Sequence, residues 1–307
     1  MSPAPRTAHD SDRLVEQLDA WRALINVELA GIWSAPMASP ALAGLAEAIE
    51  YSLLGAGKRI RPILVLATAD AWGVASQEAV SVAAAFEMIH AYSLVHDDLP
   101  CMDDDDMRRG QPTSHRVYGE GVATLVGDAL QAEAFARIAA AHRLSADARI
   151  EIIRCLAEAV GWLGMVGGQF LDVSARHATD DLEALRDIHA RKTGALIAAA
   201  VEAGGVLAGA SPSERFACRE FGTSLGWLFQ LVDDILDVTG DGSLMGRPSG
   251  SDQRSDKVTA LDVFGGVDAA RQAADTELER CLVLADSLPA GGGALNGIAR
   301  FIHSRDH

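Results

Sequence analysis

The chain has 307 residues, about half of them apolar, and 43 acidic against 26 basic side chains give a formal charge of -17. That length suits one large core, and the acidic balance excludes a nucleic-acid backbone as partner, because phosphate contacts need basic surface. Cys101, Cys155, Cys218 and Cys281 stand far apart without paired spacing, which points to neither a zinc site nor a disulfide framework and fits a reducing cytoplasm.

Residues 1–12 are polar without an apolar stretch, so they are expected to form a flexible tail and not a signal peptide, ahead of one domain over 13–307. Apolar side chains at helical spacing (Leu14, Leu18, Trp21, Ile25, Leu29) predict a helix over 13–33, and the pattern repeats over 41–54. The segment GAGKRIRP, Gly55 to Pro62, predicts a basic loop with Pro62 at the first position of the next helix. An apolar helix follows over 77–96, ended by Pro100, and the acidic residues come at once. Further helices are predicted over 119–142, 146–163, 181–208, 213–238, 268–287 and 293–304, so the fold class is all-α. The weakly polar run Ala195–Ala210, broken by Glu202 and three glycines, predicts a buried helix and no transmembrane segment. Between Thr239 and Lys257 the chain turns to Gly, Ser and Asp, and reads as either a mobile lid or a plain surface connection.

Chemistry concentrates in HDDLPCMDDDDMRRG, His96 to Gly110, where six acidic residues fall within ten positions between apolar flanks. Carboxylates at the rim of a buried region repel one another unless cations lie between them. Hard oxygen ligands select magnesium or calcium, and phosphate oxygens complete a magnesium shell. Arg108 and Arg109 add forks suited to phosphate; the alternative is a solvated acidic turn. In FQLVDDILD, Phe229 to Asp237, the residues Gln230, Asp233, Asp234 and Asp237 share one helix face among apolar neighbours. His90 lies seven residues before Asp97, on the same helical stripe.

Together with HARKTGALI at 189–197, these motifs resemble the trans-isoprenyl diphosphate synthases over roughly residues 50–260. The resemblance implies a bundle of ten or more helices around a central cavity, magnesium as cofactor with three ions around a diphosphate, and a cytoplasmic homodimer. It implies Asp97, Asp98, Asp103, Asp233 and Asp237 as metal ligands, with Asp234 orienting them. Lys58, Arg61, His90 and Arg109 match groups that hold isopentenyl diphosphate, and Arg108, Lys192 and Lys257 match those that grip the allylic diphosphate. Thr193 and Gln230 match groups near the developing cation, so Lys192, Thr193 and Gln230 are the expected catalytic set. Arg247 stands where the family has a lysine, Val232 replaces a glutamine, and Thr259, Ala260 and Leu261 depart from the usual sequence after the lid. An aromatic residue at Tyr92, beside Ser93, together with the extra Pro100 and Cys101, resembles synthases that stop at farnesyl diphosphate. Alternatives are a geranylgeranyl diphosphate synthase and a non-catalytic partner subunit; a terpene cyclase would not need Lys58, Arg61, His90 and Arg109.

Overall fold

The computed structural model describes residues 8–33, 40–174, 181–239 and 259–305. Among these, nearly every element is a helix: α1 (Ala8–Trp33), α2 (Ala43–Leu54), α3 (Ile60–Ala71), α4 (Ser76–Asp97), α5 (Ser114–Tyr118), α6 (Glu120–Ala139) and α7 (Ala146–Val160) come first. They are followed by α8 (Met165–Ser174), α9 (Leu182–His189), α10 (Ala195–Leu207), α11 (Pro212–Thr239), α12 (Ala260–Phe264), α13 (Val267–Asp286) and α14 (Ala294–His303). Two-residue strands β1 (Met107–Arg108) and β2 (Gln111–Pro112) pair antiparallel in a small hairpin. The all-α expectation holds.

Helix α4 packs against α3 and α6, α3 against α10, α10 against α11, and α11 against α13, so the buried apolar side chains form one continuous cluster. Apolar residues surround α4 on all sides from Ala79 to Ile89, which is the pattern of a helix enclosed by others. By length and hydropathy α4 alone among the described residues would suffice to cross a membrane, but 72% of that stretch is covered by its neighbours. The run Ala195–Ala210, weighed on sequence, is indeed buried as α10 through Val206.

Four local differences from the predicted elements have physical causes. Helix α1 begins at Ala8, so residues 8–12 extend the helix and are not part of a tail. Pro62 occupies the third position of α3; the first ladder bond is Ile63 N–H to the Arg59 carbonyl at 3.1 Å, so the missing proline N–H is still one of the unbonded four. Helix α8 is absent from the predicted elements, which pass from 146–163 to 181–208. Gly168 lets α8 lie flush on the chain, since a Cβ there would stand 2.3 Å from the Lys192 nitrogen. The predicted helix 181–208 is interrupted by a π-helical turn, Ala190–Gly194. On its other side Gly226 of α11 presses on that turn, where a Cβ would fall 2.7 Å from the Gly194 Cα.

Candidate active site

Helix α4 carries His90, Tyr92, Ser93 and Asp97 to its C-terminal end, and the chain then turns through the acidic run into the β1–β2 hairpin. Arg108 pairs with Gln111 across the hairpin, leaving Arg109 and Gly110 at its tip with φ of 53° and 77°. Two positive φ values in succession characterise the tight turn that matches strand twist, and at Arg109 the conformation is strained for a side chain. It aims the guanidinium inward, where Nη2 lies 3.4 Å from His90 Nε2. An arginine can only donate, so that imidazole nitrogen accepts. Gly57 makes room, because a Cβ there would come 2.8 Å from Arg109 Nη1.

Arg61, His90 and Arg109 therefore form one cationic recess. Burial, followed by the charges of Arg61 and Arg109, pushes His90 well below the usual histidine range, so the ring is neutral near pH 7. Burial also lowers Arg61 to about 10, with Glu87 opposing the shift. Lys58, on the neighbouring loop, is lowered by partial burial and by Arg305, while Asp233 acts in the other direction.

A cavity of about 440 Å³ opens beneath this recess. Arg61, His90, Asp97, Lys192 and Thr193 line it together with Tyr92, Ser93, Met102, Met165, Phe170 and Val173. Arg61 also interacts electrostatically with Asp233, which links the second aspartate motif to the space that Asp97 faces. Asp233 and Asp237 extend from α11, where Asp237 is buried. Asp98 is buried as well, and burial raises its carboxyl to about 7 despite a 2.6 Å bond from Arg108 Nε. Asp103 is half-buried in the turn, its N–H bonded to the Asp97 carbonyl at 2.9 Å.

The oxygen-only donor set at Asp97, Asp98, Asp103, Asp233 and Asp237 fits magnesium. A buried carboxyl as basic as Asp98 gains most from a cation that replaces its proton. Asp234 is different: Oδ1 accepts from Gln230 Nε2 at 2.8 Å and Oδ2 from the Ala260 N–H at 2.7 Å, an orienting arrangement.

The π turn delivers Lys192 and Thr193, where an extra residue per turn loosens the backbone ladder as it does at many functional sites. Lys192 Nζ meets Asp172 of α8 at 2.7 Å. Arg247 and Lys257, with the 239–257 segment expected as a lid, lie outside the described residues from 240 onward.

Sequence reasoning missed Glu87, Arg59, Gln169, Asp172 and Arg305. Gln169 lines the cavity with both amide atoms buried and unbonded, and the GGQ within α8 was the available signal. Arg305 is 5% exposed, stacks 4.4 Å from the centre of the Phe229 ring and lies 3.8 Å from Asp233 Oδ1. Nothing in a C-terminal SRDH announces that. Elsewhere, ligand atoms of Glu151, Cys155 and Glu202 lie within 4.8 Å of one another. Both carboxylates there are engaged by arginines, and burial lifts the Cys155 thiol to about 12, so the group offers a metal no charged sulfur.

Residues 43–285 match the family described as polyprenyl synthetase. A farnesyl diphosphate synthase of Bacillus subtilis (strain 168) is 40% identical over 265 residues, which is 86% of this chain and 89% of that protein. A chloroplastic geranylgeranyl pyrophosphate synthase of Catharanthus roseus is 42% identical over 264 residues, 85% of this chain and 74% of that protein. The crystal structure of a geranyltransferase from Helicobacter pylori, complexed with magnesium and isoprenyl diphosphate, matches with a TM-score of 0.81 and 30% identity over 98% of each chain.

Proposed function

The chain belongs to the polyprenyl synthetase family as a short-chain trans-prenyltransferase, and from that premise we propose that it makes (E,E)-farnesyl diphosphate. The reaction is 1′-4 head-to-tail condensation of isopentenyl diphosphate with dimethylallyl or geranyl diphosphate, releasing diphosphate. The family is magnesium-dependent, and the metal when bound supplies positive charge to the departing diphosphate. Three ions held by Asp97, Asp98, Asp103, Asp233 and Asp237 are part of the proposal.

Arg108, Lys192 and Lys257 hold the allylic diphosphate and stabilise negative charge as its carbon–oxygen bond breaks. Lys58, Arg61, His90 and Arg109 hold isopentenyl diphosphate so that its double bond faces the cationic carbon, with Arg247 adding positive charge. Thr193 and Gln230 present oxygen atoms toward that carbon. The apolar part of the cavity keeps out water that would capture the cation. The new bond forms between the two chains, and the proton then lost from the isopentenyl unit passes to the departing diphosphate.

The placement of Tyr92 within the cavity that Asp97 and Thr193 also line carries the farnesyl assignment. Its ring packs edge-on against His96 at 5.8 Å and closes space a longer chain would enter. Geranylgeranyl diphosphate is the second reading, because a relative with that product name is about as similar as the farnesyl synthases. Retention of both aspartate motifs argues against a non-catalytic subunit. Homodimerisation is supported by exposed Trp162 and Leu163, and cytoplasmic residence by the dispersed free thiols. The test is incubation of labelled isopentenyl diphosphate with each allylic starter, with and without chelator, followed by product sizing. Magnesium-dependent accumulation of farnesyl diphosphate is expected; no condensation with any starter overturns the reading.

A further inference from the structure

Glu87 and Arg59 form an ion pair at 2.6 Å with side chains only 1% and 2% exposed. Burying two charges is costly enough that such a pair contributes little to net stability by itself. The Arg59 guanidinium is buried between α1, the end of α2 and α4. Its Nη2 donates to the carbonyls of Leu53 at 3.1 Å and Gly55 at 2.9 Å, and its Nε donates to Asn26 Oδ1 at 3.0 Å. These bonds tie the end of α2 and the face of α1 to the loop at 55–59. The backbone of Arg59 is itself left-handed at φ 53°, a conformation that surrounding contacts must hold in place. Lys58 precedes it directly and Arg61 follows two residues later, so both inherit their position from this clamp.

Glu87 has a second relation to the recess. It lies on α4 three residues before His90, one turn away on the same stripe, and it is the foremost opposing charge on both Arg61 and Arg109. Asp233 and Asp98 oppose these charges more weakly, so without Glu87 the three guanidinium groups lose their foremost anion.

We infer that Glu87 is a positioning residue for the isopentenyl diphosphate subsite. Through Arg59 it fixes the loop that carries Lys58 and Arg61, and its charge keeps Arg61 and Arg109 side by side before substrate arrives. The inference rests on the proposed role of Lys58, Arg61, His90 and Arg109 as the grip on that diphosphate.

Glu87→Gln keeps an acceptor for Arg59 and removes the charge. Asn26→Ala, on the exposed side of α1, loosens the same clamp without touching the core. Steady-state kinetics should show KM for isopentenyl diphosphate raised on the order of tenfold to a hundredfold in Glu87→Gln, as small misplacements of binding groups do. In the same variant, kcat at saturation and KM for the allylic substrate should stay within about twofold, the signature of lost binding rather than lost fold. Asn26→Ala should give a smaller rise confined to the same substrate. Affinity for inorganic pyrophosphate in chelator, measured calorimetrically, should weaken in parallel. Loss shared equally between the two substrates, or unchanged isopentenyl KM and pyrophosphate affinity in folded protein, overturns the inference. Absence of condensation by the wild type would instead remove the functional reading, while the pyrophosphate measurement still decides on the clamp.

Discussion

Thr193 donates a hydrogen bond to Gln230 Oε1 at 3.2 Å, which joins the π turn on the cavity wall to the aspartate-rich face of α11. The Gln230 amide is oriented by its other end, since Nε2 donates to Asp234 Oδ1 at 2.8 Å and a carboxylate can only accept there. Asp234 in turn receives the Ala260 N–H at 2.7 Å, at the first residue of α12. A single chain of bonds thus runs from the cavity to the point where the described structure resumes after residue 258.

Thr193→Val keeps the shape of the side chain and removes its hydroxyl. One neutral hydrogen bond contributes about 1 kcal/mol, so turnover should fall about fivefold. Both KM values should stay near those of the wild type, because neither diphosphate is touched by the change. Steady-state rates check this, and an unchanged kcat would sink the proposed role of Thr193 near the cation.

Asp98 gives the site a pH dependence whose sign can be worked out. Burial raises its carboxyl to about 7, so below that pH a cation must displace a proton to bind. Half-saturating magnesium should rise as pH falls from 8 to 6, approaching about tenfold per pH unit at the acid end. In the metal-free protein the folded state keeps the proton to higher pH than the unfolded chain. The stability contributed by Asp98 is therefore present below the ordinary carboxylate range and lost as pH rises through about 7. Melting in chelator at both ends of this range should show that slope, flattened in Asp98→Asn.

His90 shifts the opposite way. As pH falls through the ordinary histidine range the unfolded chain takes up a proton before the folded one, so its stability contribution is present above that range and lost below it. The ring is neutral near pH 7 and accepts from Arg109. KM for isopentenyl diphosphate should show no histidine inflection above about pH 6. His90→Gln, which retains an acceptor, should stay closer to wild type than His90→Ala.

Strong local patterns made much of this legible. The acids at Asp97, Asp98 and Asp233 stood out because carboxylates amid apolar residues need an explanation, and the seven-residue spacing of His90 and Asp97 placed both on the cavity side of α4. Chain positions distant from those motifs were not legible. Glu87 looked like one polar residue on an apolar helix, and its meaning depends on Arg59, 28 residues earlier. Helix α8 was not legible either, since the use of Gly168 is to let its backbone touch Lys192 of the π turn, a relation that exists only between elements.

Tyr92 should set product length. Its hydroxyl has no hydrogen bond within normal distance although Gln131 stands beside it, and burial pushes it up to about 12. The ring therefore acts by volume. Tyr92→Ala should move the product from farnesyl to geranylgeranyl diphosphate and longer, with Ser93 next to limit the chain. Chromatography of dephosphorylated products checks this, and an unchanged profile excludes Tyr92 as the stop.

Arg305 offers a test in which two effects have opposite signs. Its guanidinium stacks on Phe229 and lies 3.8 Å from Asp233 Oδ1, and its charge also lowers Lys58. It thus competes with a cation for Asp233 while adding to the positive field that draws a diphosphate toward Lys58. Arg305→Met retains much of the stacking bulk and removes the charge. Half-saturating magnesium should fall, because Asp233 is freed for metal, and KM for isopentenyl diphosphate should rise about fivefold, the scale of one lost partly screened charge contact. If Arg305 only anchored the C-terminus, its loss would loosen α14 against α13 and α11, and both quantities would worsen together. Opposite movement of the two is the outcome that places the end of the chain within the electrostatics of the site.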